Sequence, residues 1–175
     1  RKKNKTVKYI VIHYTGMKNL KLAYKKLSDK NSNVSAHYLI SRKGTIYNLL
    51  CPKLKAWHAG ESKWKNNTNI NDYSIGIELE NKGHEFGYTN FSKNQYVSLK
   101  KLIFFLKINF KISDKNIIFH SDIAPKRKCD PGEKFLINKI GIKRFNEKKI
   151  KYKYTIDEML NLYGFNIIGI FDDTL

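Results

Sequence analysis

Val7-Lys-Tyr-Ile-Val-Ile-His-Tyr14 is a nearly unbroken apolar run of strand rather than helix length. A strand that is apolar on both faces is stable only inside a sheet covered on both sides, which points to an α/β domain. An imidazole, His13, stands at the end of the run, where the chain must leave the sheet. A second short run, Asn116-Ile-Ile-Phe-His120, ends the same way. Strand ends are where sites assemble in open α/β sheets, so the two histidines are candidate functional groups.

The other segments fit the same architecture. Asn19 to Lys30 reads as a short helix. Ala36-His-Tyr-Leu-Ile-Ser and Thr45-Ile-Tyr-Asn-Leu-Leu flank Arg42-Lys43-Gly44, a length and glycine placement that suit a hairpin. Residues 53–72 carry little periodicity and are expected to form a long polar loop, in which Trp57 and Trp64 are exposed aromatic binding candidates. Ser74-Ile-Gly-Ile-Glu-Leu-Glu80 alternates at its acidic end, so Glu78 and Glu80 should leave one face of a strand. Ser92 and Gln95 have capping-box spacing, and Leu99, Leu102, Ile103, Leu106 and Phe110 follow at helical intervals, marking the main helix over the sheet. The expected fold is α/β, a single mixed central β-sheet flanked by helices. The domain is assigned to residues 1–146 and a helical extension to 147–175, where Thr155-Ile-Asp-Glu158 opens an amphipathic segment stopped at Gly164.

At 175 residues and 41% apolar content the chain supports one domain with a sizeable core. Its net charge of +19 invites an acidic partner, yet arginine occurs only at positions 1, 42, 127 and 144, and the lysines are spread along the chain rather than clustered. With isoleucine and asparagine also abundant, compositional bias explains the charge better than a nucleic-acid or membrane patch. Cys51 and Cys129 form no CxxC pair and no disulfide framework. No run approaches the roughly 18 apolar residues of a membrane span. The chain opens on Arg1 rather than methionine, and a segment ahead of it, targeting or otherwise, is expected to have been removed.

His120-Ser-Asp-Ile-Ala-Pro-Lys-Arg-Lys-Cys-Asp-Pro-Gly132 places an imidazole, Lys128 and Asp130 within a short stretch closed by a Pro-Gly turn. With His13 it supplies two imidazoles and a carboxylate, leaving one coordination position open, the pattern of hydrolytic zinc. Cys129 is a softer donor beside Asp130, but adjacent residues of an extended loop point apart, so only one of the two should reach a metal. Singly each group is ordinary: a strand-end histidine is usually structural and Asp-Pro-Gly usually a turn. Their conjunction is what carries the reading.

Five segments in order, Val11-Ile-His13-Tyr, Ser35-Ala-His-Tyr-Leu-Ile, Ala56-Trp-His-Ala-Gly60, Asn71-Asp-Tyr-Ser-Ile-Gly-Ile-Glu78-Leu-Glu80 and His120 to Gly132, resemble the type 2 N-acetylmuramoyl-L-alanine amidases over residues 7–145. The resemblance implies one zinc ion held by His13, His120 and Asp130, Glu78 as catalytic base and Lys128 as partner of the oxyanion. The phage members carry Tyr where Ala36 stands, which leaves the carboxylate role to Glu78. His58 is implied as a contact to substrate or the developing oxyanion. Trp57 is carried as a substrate-binding candidate, with packing the commoner fate of such a ring. His37 is assigned to structure or to support of the site, and Glu80 and His84 to solvated positions. The implied reaction is cleavage of the amide between the lactyl group of N-acetylmuramic acid and L-alanine, serving cell wall degradation, remodelling or recycling. The Trp-His-Ala-Gly-Glu-Ser-Lys-Trp64 and Glu80-Asn-Lys-Gly83 segments look like the envelope-located bacterial branch, which implies a periplasmic or secreted enzyme, with the cytoplasm as the alternative. In that branch the tail from Thr155 reads as the remnant of a peptidoglycan-binding module. The expected partner is peptidoglycan or a muropeptide, with no nucleic acid, no transmembrane segment and a monomeric state.

Two other classes compete. A non-catalytic peptidoglycan-binding module has no need of His13, Asp130, Glu78 and Lys128 together. A basic nucleic-acid binder should show a helix-turn-helix, RNP or zinc-finger pattern, or lysines interleaved with aromatics, and none is evident.

Overall fold

The computed structural model describes residues 6–143. In chain order the elements are β1 (Tyr9–Tyr14), α1 (Leu20–Ser28), β2 (Tyr38–Ile40), β3 (Ile46–Asn48), β4 (Lys63–Trp64), β5 (Asn67–Thr68), β6 (Ser74–Leu79), α2 (Gly83–Phe86), α3 (Lys93–Phe110), β7 (Ile117–Phe119) and α4 (His120–Ile123). The main sheet has the order β3-β2-β6-β1-β7. β1 runs parallel to β6 and β7, β2 parallel to β6, and only β3 is antiparallel. This is the mixed, helix-flanked sheet expected of the sequence. The 146/147 boundary and the segment from Thr155 lie outside the described residues.

The period of the strands sorts their side chains onto two faces. Ile10 and Ile12 of β1 join Ile75, Ile77 and Leu79 of β6 beneath Leu99, Leu102, Ile103 and Leu106 of α3. Each aliphatic side chain removed from water here contributes about 1.5–3 kcal/mol, which is what seats the helix on the sheet. α3 begins with the capping box: Ser92 Oγ accepts from Gln95 N at 3.1 Å, and Gln95 Oε1 accepts from Ser92 N at 3.0 Å. The opposite face carries Tyr9 and Val11, packed with Ala59, Trp64, Ile70, Ile118 and Ile123. His13 continues the Tyr9–Val11 row and Glu78 continues the Ser74–Gly76 row, so both leave the sheet on this second face.

Residues 53–72 differ from a plain loop. They hold the β4–β5 hairpin and a turn of 3-10 helix at Ile70–Asp72. Trp64 is not an exposed binding group but 2% exposed, a core side chain of the second face. A short hairpin has too few residues for its alternation to be read from the chain.

Candidate metal centre and catalytic cleft

Tertiary packing brings together three groups from two strand ends and one loop. His13 is the penultimate residue of β1, and His120 is the first residue of α4, directly after β7. Asp130 returns to them through a compact turn: Arg127 N and Lys128 N both donate to Ala124 O, and Ser121 N donates to Asp130 O at 3.0 Å. Arg127 fixes the turn from outside, its Nη2 donating to Ala59 O at 2.9 Å and to Glu61 O at 2.7 Å. His13 Nδ1, His120 Nδ1 and Asp130 Oδ2 then lie 2.9, 3.0 and 3.1 Å from one another, all three residues buried.

The hydrogen bonds behind this cluster set which ring nitrogens carry protons. Ser74 Oγ donates to Ile70 O at 2.7 Å, so it accepts from His58 Nε2 at 3.1 Å. His58 Nδ1 is therefore an acceptor and takes the Nε2 proton of His13 at 2.9 Å. His13 Nδ1 is left with its lone pair toward the cluster. His120 Nε2 donates to Ala59 O at 3.1 Å, and its Nδ1 lone pair likewise faces inward. Burial first, and the neighbouring His120 second, push His13 down to about 4, so it is neutral at pH 7. Burial alone would raise Asp130, but the two imidazoles beside it outweigh that and hold it below the usual carboxylate range. With both rings neutral in these tautomers, two lone pairs and a carboxylate oxygen would face one another at about 3 Å, an arrangement that a cation in the middle relieves. Tetrahedral bonds of about 2.0–2.1 Å would separate ligand atoms by roughly 3.3 Å, close to the spacing found here. The three residues can hold a metal ion.

Cys129 does not compete for that position. It is exposed, and its Sγ sits 3.3 Å from Tyr14 Oη and 3.4 Å from His84 Nδ1, away from the cluster. The alternation of neighbouring side chains separates the two donors.

The cluster lies at the base of an open cleft of about 460 Å³. Glu78 also lines this cleft, and its Oε2 is buried without a hydrogen-bond partner among the described residues. Burial, with Asp130 adding to it and Lys128 opposing, raises the Glu78 carboxyl well above its ordinary range. Lys128 is exposed on the cleft wall. Trp57 is 45% exposed at the rim rather than packed. His58 reaches the cleft, yet both of its ring nitrogens are engaged by His13 and Ser74. His37 is fully buried, its Nδ1 accepting from Gly76 N at 2.9 Å and its Nε2 donating to Leu54 O at 2.9 Å. Two residues assigned to solvent are not simply solvated. Glu80 Oε2 accepts from Arg42 N at 2.7 Å, and His84 lines the cleft between Tyr14 Oη and Glu133.

Residues 3–133 match the family model described as N-acetylmuramoyl-L-alanine amidase, Amidase_2. The chain belongs to this amidase family. It is 38% identical over 141 residues to the N-acetylmuramoyl-L-alanine amidase AmiD of Escherichia coli, covering 74% of this chain and 50% of AmiD. It is 42% identical over 103 residues to the 1,6-anhydro-N-acetylmuramyl-L-alanine amidase AmpD of Haemophilus influenzae, covering 58% of this chain and 54% of AmpD. The chain thus spans about half the length of these curated relatives. Its fold is similar to that of E. coli AmiD in complex with anhydro-N-acetylmuramic acid-L-Ala-D-γ-Glu-L-Lys, with a TM-score of 0.81 and 31% identity over 94% of this chain and 74% of that one.

Several residues that build this Amidase_2 site escaped the sequence reading. Asn71 Oδ1 accepts from both His58 N and Ala59 N, at 3.0 and 2.8 Å, and so holds the Trp57–Ala59 loop against the cluster. Gly76 lies flat beneath His58, and a Cβ there would overlap the imidazole ring. Ser74 ends the proton chain, and Arg127 anchors the Asp130 turn. Asn71, Ser74 and Gly76 all stand in one quoted motif, but their partners are fixed only by the fold.

Proposed function

We propose that this protein is a zinc-dependent N-acetylmuramoyl-L-alanine amidase, hydrolysing the amide between the lactyl group of N-acetylmuramic acid and L-alanine in peptidoglycan or muropeptides. The observation that carries the reading is the acceptor triad of His13 Nδ1, His120 Nδ1 and Asp130 Oδ2 beside the unpartnered Glu78 Oε2 at the base of an open cleft. Two imidazoles and one carboxylate with an open side are a donor set suited to catalytic zinc. Bound there, zinc would supply Lewis acidity toward a carbonyl and toward water.

The chain's own groups account for the rest. Glu78, held in a dry position with a raised pKa, accepts a proton from the attacking water and returns it to the departing amine of L-alanine. Lys128 places a fixed positive charge at the cleft wall, where negative charge develops on the scissile carbonyl oxygen. His58 keeps His13 in the tautomer that presents Nδ1 and acts as its positioning residue; both its nitrogens being engaged, it is not assigned a direct bond to substrate. Trp57 at the rim offers an aromatic surface to the sugar or peptide. Among the described residues no helix is long and apolar enough to cross a membrane. The place of action we favour is the cell envelope, supported by the likeness of the Trp57–Trp64 and Glu80–Gly83 segments to that branch, and fractionation of cells tests it.

The deciding experiment is mass spectrometry of products from purified sacculi and from anhydro-muropeptides, before and after chelation and zinc restoration. Free stem peptides beginning with L-alanine, lost with chelator and regained with zinc, are the expected result. Zinc bound with no peptide released from either substrate would overturn the proposal in favour of a binding module.

A further inference from the structure

The cleft wall holds a second convergence of donor atoms that the proposed hydrolysis leaves unused. His84 Nδ1 comes from α2, Tyr14 Oη from the last residue of β1, and Cys129 Sγ from the turn before Asp130. Tyr14 Oη lies 2.9 Å from His84 Nδ1 and 3.3 Å from Cys129 Sγ, and Sγ lies 3.4 Å from Nδ1. Behind the ring, His84 Nε2 stands 3.0 Å from Glu133 Oε2. A carboxylate only accepts, so Nε2 carries the proton, and with the ring neutral the Nδ1 lone pair faces the thiol and the phenol. A carboxylate behind the imidazole is the usual backing of a metal-bound histidine. The ring is also held in place: it packs on Tyr88 with centroids 4.3 Å apart, and Tyr88 Oη donates to Pro131 O at 2.6 Å. A Cβ on Gly132 would come within 2.9 Å of His84 Cε1, so glycine there leaves room for the imidazole. Cys129 is a free, exposed thiol.

The geometry points to a second metal site here, with Cys129 Sγ and His84 Nδ1 as ligands to a thiophilic divalent cation of the zinc and cadmium class, Tyr14 Oη beside them and solvent completing the shell. Tetrahedral bonds of about 2.3 Å to sulfur and 2.0–2.1 Å to nitrogen place such ligand atoms roughly 3.6 Å apart, close to the spacing found. Sulfur and imidazole select this class over magnesium and calcium, which favour oxygen donors. Coordination releases the thiol proton to solvent, so sulfur binds as thiolate. The His13, His120 and Asp130 cluster has no sulfur, which makes the two sites chemically distinct. Tyr14, His84 and Cys129 all line the catalytic cleft, so an ion held there occupies space that substrate needs, and surplus metal becomes an inhibitor. The inhibitory role rests on the amidase reading; the site does not.

The test titrates cadmium into the full chain carrying one equivalent of zinc, with a phosphine as reductant, and follows the ultraviolet charge-transfer band of a cadmium–thiolate bond. The band should saturate at one added equivalent, survive Cys51→Ser, vanish in Cys129→Ser and need roughly tenfold more cadmium in His84→Ala. Exchange of cadmium for zinc at the sulfur-free cluster is silent in this band. Cleavage of anhydro-N-acetylmuramic acid-L-Ala-D-γ-Glu-L-Lys, the muropeptide bound to AmiD, should be lost with the same half-saturation. Cys129→Ser should keep its own rate at that concentration, and magnesium should do nothing. No band in the unaltered protein, a band that persists in Cys129→Ser, or equal affinity in His84→Ala would overturn the site. Equal loss of turnover in Cys129→Ser would overturn the inhibitory role. The expected band in a protein that cleaves nothing even before cadmium would sink the amidase reading and leave the site standing.

Discussion

His13 and Glu78 are paired in register on adjacent parallel strands, each at the carboxyl end of its strand and on the same face of the sheet. The pairing sets a candidate metal ligand and the proposed catalytic carboxylate side by side without any loop to position them. β1 and β6 are buried along their length, so the relationship is as rigid as the core itself.

That geometry separates binding from chemistry. Glu78→Gln should retain one zinc per chain while turnover falls by roughly 10²–10⁴, the usual span of a lost general base. His120→Ala should lose zinc and turnover together. Metal analysis beside product mass spectrometry checks both, and an active Glu78→Gln protein would remove Glu78 from the mechanism.

The proton chain from His13 through His58 to Ser74 predicts an effect on metal affinity by a residue that touches no metal. His58→Ala should weaken zinc binding by roughly 10–100-fold. Competition against a chromogenic chelator measures it on folded protein. Unchanged affinity would mean that His13 holds its tautomer unaided.

Gly76→Ala forces a methyl group into the His58 ring. Overpacking of this kind costs about 1–3 kcal/mol. The same substitution in a His58→Ala background should be nearly silent, because the clash has gone. A thermal-melt cycle over the four proteins gives the coupling, and additive losses would count against the packing explanation.

Stability of the metal-free protein should fall on mild acidification. His13 is held at about 4 in the folded chain, below its ordinary value near 6.5 when unfolded. Between these values the unfolded state binds the extra proton, so stability drops by roughly 3 kcal/mol as pH falls across the window and levels off beneath it. Asp130, depressed rather than raised, contributes stability above the ordinary carboxylate range and loses it at still lower pH. Zinc should be released over the upper window, since protons and metal compete for Nδ1. A melting temperature of the metal-free protein that stays flat from neutral pH to about 4 would contradict the neutral, buried His13.

Much of the architecture is legible in the chain because it follows from period and length. β1, β6, α3 and the β2–β3 hairpin are each marked by runs, alternation or caps that local physics enforces. Trp64 was misread because a two-residue strand has no period, and the pairing of β4 with β5 that buries it is a property of the whole loop. His84 was set aside because nothing near it in sequence announces Tyr14, Cys129 or Glu133. Asn71, Gly76 and Arg127 act through backbone groups and ring faces 12 to 68 residues away in the chain, and no local pattern encodes such partners.

The sequence by itself determined the class of fold, the family and the donor set of two imidazoles and a carboxylate, because burial pattern and residue chemistry are carried in the order of the residues. Only the tertiary structure decided that three acceptor atoms converge within about 3 Å, that Cys129 turns away, and that His58 stands behind His13. Convergence depends on strand register, and register is fixed by which face of each strand the core buries.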